Sequence, residues 1–401
     1  MWSRSRRACG SLAAALLLMG ALAIAAMPQA AHAAGFYVQT NLDSDVPGLA
    51  RFTDPNLVNP WGISKDPAGL FWVSDQGRDV LTTYDGNGQP GSQIVVIPPS
   101  PSPPLGPTGL VYNPTPGFRV GGSPATLIIA TAQGTIDAWN AGPAASVLVP
   151  GGTSGALFTG LAMGQSGPAP FLYAPDFRNG MVREWDLNFT ETSPPGSFAD
   201  PGLPSGYSPF GIDNVTGRLY VTYARMDPTT HMPVTGPAGE GTGVVNVFDT
   251  NGHFLQRLES PGPSSPLNSP WGVTLAPSQF GPFSNDLLVG NFGNGTINAF
   301  DPTDGAFLGT LMDGQGRPIQ NDGLWSLMFD PNTLYITAGI DGGTNGLFAS
   351  IAFAPAPVPE PGTSLLLAFG FVLSLTTHAC RRRRSMHGDH PIFGSCPPRV
   401  W

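Results

Sequence analysis

The sequence predicts an all-β fold, a six-bladed β-propeller of four-stranded antiparallel blades, with an N-terminal strand completing the last blade. Three observations carry this. A short Pro-aromatic-Gly-apolar element recurs six times, each copy opens a series of strand and hairpin signals, and 53 Gly and 44 Pro among 401 residues favour turns over long helices.

The element comes first as Asn59-Pro60-Trp61-Gly62-Ile63. It returns as Pro107-Thr108-Gly109-Leu110, Phe158-Thr159-Gly160-Leu161, Ser208-Pro209-Phe210-Gly211-Ile212, Ser269-Pro270-Trp271-Gly272-Val273 and, in weaker form, Asp322-Gly323-Leu324-Trp325-Ser326-Leu327. Steps between Gly62, Gly109, Gly160, Gly211, Gly272 and Gly323 are 47, 51, 51, 61 and 51 residues, which is too long for one coil of a β-helix. The 3.6-residue apolar period of a helical solenoid is missing as well.

Each copy leads into an alternating or apolar run, a polar turn, and a second run ending in an aromatic residue plus Asp or Asn. Leu70 to Ser74 turns through Asp75-Gln76-Gly77 into Val80 to Tyr84-Asp85, and Thr126 to Ala130 turns through Gln133-Gly134 into Thr135 to Trp139-Asn140. The same grammar pairs Phe171 to Ala174 with Met181 to Trp185-Asp186, Arg218 to Tyr223 with Gly243 to Phe248-Asp249, and Leu287 to Gly290 with Thr296 to Phe300-Asp301. A glycine turn and one further strand close several units. The sixth unit offers three strands before a Pro-rich linker, so Phe36 to Thr40 is expected to supply the fourth and leave no open edge at the seam.

The 61-residue step marks an insertion between Tyr223 and Gly243 that contains Met226, Asp227, His231 and Met232. Its glycines and prolines make it a loop, and a loop of this length either decorates the surface or carries function.

Charge narrows the partners. Residues 34 to 360 hold 10 Arg and Lys against 26 Asp and Glu, a net charge of −16 that repels phosphate backbones and argues against nucleic acid. Cys9, Cys380 and Cys396 all lie outside this stretch, so the body is expected to fold without a disulfide.

Both ends read as addresses. Residues 1–33 carry Arg4, Arg6 and Arg7, an apolar run from Leu12 to Ala26 and Ala31-His32-Ala33, the pattern of a signal peptide cut by signal peptidase. After the propeller, expected over residues 34–354, comes a linker over 355–363 with Val358-Pro359-Glu360-Pro361-Gly362. An apolar segment over 364–380 is expected to form a transmembrane sorting helix, and Arg381, Arg382, Arg383 and Arg384 open a basic cluster and cytoplasmic tail over 381–401. Pro-Glu-Pro, apolar segment and arginines in this order resemble the PEP-CTERM sorting signal, which implies processing by an exosortase and membrane contact through the C-terminal helix before that cut. The expected location is the periplasm, outer surface or extracellular matrix of a Gram-negative bacterium.

Candidate site residues follow from the blade plan. The first-hairpin corners Asp75, Thr131, Asp176 and Asn291 face the same rim as the inner-strand starts Asn59, Ser208, Ser269 and Asp322, so they could gather round the channel mouth. Oxygen ligands from several blades suit Ca²⁺, with Asp75, Asp176 and Asn291 as the candidate set; local hydrogen bonding in turns would select the same residue types. Trp61, Phe210, Trp271 and Trp325 are read as packing between blades rather than as a ligand cage.

The stretch Asp54-Pro55-Asn56-Leu57-Val58-Asn59-Pro60-Trp61-Gly62, together with Thr40 to Asp45, Gly290 to Gly295, Asp322 to Trp325 and Ala338-Gly339-Ile340, resembles an uncharacterised bacterial family of NHL-like β-propellers that often bear PEP-CTERM tails. The resemblance implies the fold and an exported location, and no site residues. The expected function is therefore a binding or interaction module that takes a glycan, a protein or a small ligand at one rim. The alternative is a calcium-dependent lactonase or other hydrolase working at the channel mouth. Only His231 and His253 lie in the body, and no H-E-x-x-H, G-x-S-x-G or Walker pattern is present, so the inventory leans away from catalysis. Propeller lactonases of the gluconolactonase and paraoxonase type set Glu, Asn and Asp round an axial calcium, whereas Glu184, Glu191, Glu240 and Glu259 here are not at inner-strand starts.

Overall fold

Strands that are apolar on both faces need a sheet on either side, and a ring of radially arranged sheets meets that need for every blade at once. In the computed structural model, which describes residues 35–98, 106–151, 155–237 and 241–356, six antiparallel sheets do this. The first blade runs through Pro60–Lys65, Phe71–Asp75, Val80–Tyr84 and Val95–Val96, and the second through Pro107–Tyr112, Leu127–Thr131, Ile136–Trp139 and Ser146–Val149. Blades three to five begin at Ala162–Ser166, Tyr207–Val215 and Pro270–Leu275 and follow the same order. The sixth contains Leu324–Asp330, Thr333–Ala338 and Leu347–Ala354, and its fourth strand is Phe36–Ser44, paired antiparallel with Leu347–Ala354 from Phe36 opposite Ala354 to Ser44 opposite Leu347. The seam strand is thus longer than the sequence suggested, and Phe52–Thr53 adds a short parallel pairing outside it.

Apolar side chains divide among seven clusters. Six lie one to each blade interface, and the seventh, of Phe177, Phe210, Ala224, Trp271 and Trp325, sits on the axis. The strand Leu127–Thr131 shows how alternation feeds two interfaces: Leu127 and Ile129 pack towards the first blade, Ile128 and Ala130 towards the third. The aromatic residues that end the third strands, Tyr84, Trp139, Trp185, Phe248 and Phe300, are all buried in these clusters. Where an Asp follows them it caps the next turn, as Asp85 does by accepting the N–H groups of Asn87 and Gln89.

Innermost strands touch in sequence and the last touches the first, closing the ring. The recurring glycine permits that approach. A Cβ on Gly62 would stand 2.7 Å from Thr108 O, and one on Gly272 would stand 2.6 Å from Trp325 O. At the same points the inner ladder bulges, and a hydroxyl from the second strand fills the gap. Ser74 Oγ accepts Gly62 N–H at 2.7 Å and donates to Thr108 O at 2.8 Å in the next blade. Thr222 Oγ1 joins Gly211 N–H to Trp271 O in the same way. Thr337 Oγ1 accepts Ser326 N–H and donates to Trp61 O, so the sixth copy of the bulge holds Ser326, and Gly323 is the turn before it, at φ 62°.

Among the described residues no helix is long and apolar enough to cross a membrane. Residues 1–33 and the segment from Val358 onward, with Pro359, Glu360, Pro361 and Arg381 to Arg384, lie outside the described residues.

Candidate functional site

Because every inner strand starts at one end of the ring, those starts and the connections between second and third strands converge on one mouth. There they enclose a cavity of about 480 Å³. Trp61, Thr159, Phe210 and Trp325 come from the inner strands or their leads, and Gln76, Ala132, Phe177, Phe292 and Gly339 from the turns between second and third strands, so the corners expected at first hairpins belong to the second. The fourth blade adds His231, Met232, Pro233 and Thr235 from its insertion, which therefore faces the axis and does more than decorate the rim. A larger open groove, about 710 Å³, runs along residues 36–39 and 313–320 of the outer seam, where Arg317 is already ion-paired with Asp313.

The aromatic residues stack mainly on one another. Trp61 and Trp325 lie face to face with centroids 3.5 Å apart, Trp271 meets Trp325 edge-on at 5.8 Å, and Phe292 lies 4.4 Å from Trp325. Packing is thus one of their roles, as expected, and walling the cavity is a second. Trp271 is held below by Nε1 donating to Thr159 O at 2.7 Å, while Trp61 and Phe292 keep partly exposed faces.

The insertion is shaped by its own turn chemistry. Asp227 accepts the N–H groups of Thr229 and Thr230, which hold its carboxyl below the usual range, and its backbone oxygen accepts His231 N–H at 2.9 Å. His231 takes a left-handed φ of 55° at this corner. Asn268 pins the C-terminal limb through two bonds with Gly236, at 3.1 and 2.8 Å.

Three buried polar atoms on cavity-lining residues have no hydrogen-bond partner among the described residues: Trp61 Nε1, Thr159 Oγ1 and His231 Nδ1. Buried polar groups are almost always paired, so three orphans on residues of one cavity set this end of the axis apart.

Of the residues chosen from sequence, Asn59 and Asp322 line the cavity. Asn59, at φ 47°, donates from Nδ2 to Gln76 Oε1 at 2.6 Å and accepts Trp325 Nε1–H at 3.3 Å, joining the first blade to the sixth. The other six do not line the cavity, and their polar atoms bond within the protein. Asp75 accepts Thr82 Oγ1–H at 2.7 Å, and burial pushes its carboxyl well above the ordinary range. Thr131 bonds Thr135; Asp176 takes Arg183, Asn179 and the Leu157 N–H; Asn291 accepts Asn268 N–H and donates to Pro266 O and Thr296 Oγ1. Ser208 and Ser269 donate to Phe177 O and Val234 O. The calcium set Asp75, Asp176 and Asn291 is spread over three blades, and among the described residues no three His, Cys, Asp or Glu side chains are grouped to hold a metal ion. Thr159, Phe177, Leu157 and His231 were not among the sequence candidates. The 61-residue step was the signal that could have pointed to His231.

Fold and cavity together define a six-bladed β-propeller with a ligand-sized cavity at one axial mouth. No family model matches the chain. It is 33% identical over 320 residues to Uncharacterized protein R648 of Acanthamoeba polyphaga mimivirus, covering 75% of this chain and 76% of that protein. It is 32% identical over 324 residues to Uncharacterized protein L690 of the same virus, covering 76% and 82%. The chain belongs to the family of these mimivirus proteins. That corrects the bacterial kinship expected from Asn59-Pro60-Trp61-Gly62: these relatives are proteins of a giant virus. Similar solved structures include virginiamycin B lyase from Staphylococcus aureus, with a TM-score of 0.47, 13% identity, and coverage of 79% of this chain and 99% of that one. A gluconolactonase from Xanthomonas campestris has a TM-score of 0.46, 15% identity, and coverage of 75% and 89%.

Proposed function

We propose that this propeller binds a small, largely apolar molecule in the mouth cavity. The observation that carries the reading is an axial cavity of about 480 Å³ lined mainly by aromatic and other apolar side chains, with Asn59 and Asp322 among the few polar ones. Volume and composition fit a small-molecule site, with apolar walls supplying affinity and a few polar atoms fixing orientation. Catalysis on the bound molecule is a second reading, favoured by the presence of His231, a side chain of the type that transfers protons, among the residues lining the cavity. The calcium-dependent form of that reading lacks a convergent carboxylate set among the described residues.

The test uses N-phenyl-1-naphthylamine, a neutral fluorophore that brightens in apolar surroundings. Saturable one-to-one binding is expected to the parent chain, and none to Ala132→Trp, which fills the cavity from a half-buried position while the melting temperature stays within a few degrees. Absence of saturable binding, or equal binding by the folded variant, would overturn the proposal. Loss of turnover without loss of binding in His231→Ala would identify the enzyme reading once a substrate is in hand.

A further inference from the structure

We infer that the cavity selects organic cations: molecules with an apolar or aromatic body and a quaternary or protonated amine. The inference rests on the binding reading above and adds the charge of the ligand.

Charge at the mouth is one-sided. Among the described residues, Asp322 and His231 are the only ionisable side chains on the cavity wall, and no Lys or Arg lines it. Asp322 is exposed at the rim, and no ion pair or side-chain hydrogen bond occupies its carboxylate among the described residues. Behind it lies a body with 16 more acidic than basic side chains, whose field concentrates cations and repels anions at a concave opening. An anionic ligand would find no Lys or Arg partner on the wall among the described residues.

Aromatic faces complete the argument. Rings attract a cation through the negative face of their π-systems, and Trp61 and Phe292, both partly exposed residues of the wall, flank Trp325 there. Phe210 and Phe177, with centroids 5.1 Å apart, are buried and back that surface from the axis. A tryptophan-rich wall plus a single rim carboxylate meets the needs of an ammonium group on an apolar body. A neutral guest would use the walls and leave Asp322 idle.

Three competitors against N-phenyl-1-naphthylamine separate the outcomes on the full chain: benzyltrimethylammonium, its neutral carbon isostere neopentylbenzene, and phenylacetate. The cation is expected to displace the fluorophore at about tenfold lower concentration than the isostere, and phenylacetate not to compete. Asp322→Asn, at an exposed site, is expected to weaken the cation about fivefold and to leave the isostere unchanged. Equal displacement by cation and isostere, or an Asp322→Asn variant that treats them as the parent does, overturns the cation inference and leaves the cavity reading in place. A fluorophore that never binds, or that binds the filled Ala132→Trp variant equally well, removes both.

Discussion

Replacing Tyr37 by Ala tests the closure of the ring, because this residue anchors the strand that joins first and last blades. Its ring is 3% exposed and lies 4.8 Å from Phe280, 6.0 Å from Phe283 and 5.7 Å from Phe353, and its hydroxyl donates to Phe280 O at 2.9 Å. Truncating a buried aromatic ring to alanine costs about 4 kcal/mol, the lost transfer energy plus the cavity left behind. Tyr37→Phe removes only the hydroxyl and costs about 1 kcal/mol. The neighbouring Val38 points to the opposite face of the same strand and is 43% exposed, so Val38→Ala is expected to change stability by less than about 0.5 kcal/mol. Equilibrium unfolding in urea, with a common slope, measures all three. At this size 1 kcal/mol corresponds to roughly 2 °C in Tm, so Tyr37→Ala should melt about 8 °C lower than the parent. A Tyr37→Ala chain within 1 kcal/mol of the parent, or no better separated from it than Val38→Ala, would refute the claim that this strand holds the seam.

Two further outcomes follow from the blade geometry and its buried charges. Gly272→Ala places a methyl 2.6 Å from Trp325 O and 3.0 Å from Leu327 N, both backbone atoms of the next blade, and is expected to cost about 3 kcal/mol in the same urea assay; a neutral result would mean the inner strands are less tightly apposed than described. Asp137 is 1% exposed, and burial pushes its carboxyl up to about 6, opposed by a hydrogen bond from Thr135. The unfolded value is about 3.9, so the folded chain holds the proton more tightly, and stability falls as pH rises from about 4 to about 6 and stays lowered above that. Asp137→Asn should therefore raise Tm at pH 8 and give no gain at pH 4, and an equal effect at both values would contradict the assignment.

Sequence and structure agree where a feature repeats. Gly62, Gly109, Gly160, Gly211 and Gly272 stand where neighbouring blades approach, and repetition marked them before any coordinate did. Ser326 departs from that series, and its place became visible only through its bond to Thr337. The bridging hydroxyls of Ser74, Thr222 and Thr337 were hidden because Ser and Thr are ordinary strand residues, and only the gap opened by the bulge gives them work. At the mouth, Asn59 and Asp322 were legible because they precede inner strands. Asp75 and Asp176 were misleading: corner position does not say whether a carboxylate turns to the axis or to its own hairpin, and Thr82 and Arg183 draw these two inward. The insertion's length was legible and its direction was not, since the Asp227 turn is local but the Asn268 clamp that holds the C-terminal limb acts from 32 residues away.

The pairing of Phe36 with Ala354 places both exits of the chain side by side, at the ends of their strands farthest from Gly346 and the mouth. Tension applied across those two exits would load the seam in peeling geometry, one backbone bond after another, instead of in shear. A pull from either end would open the ring like a zipper from the face opposite the cavity, so mechanical rupture would begin at the joint that carries no covalent link.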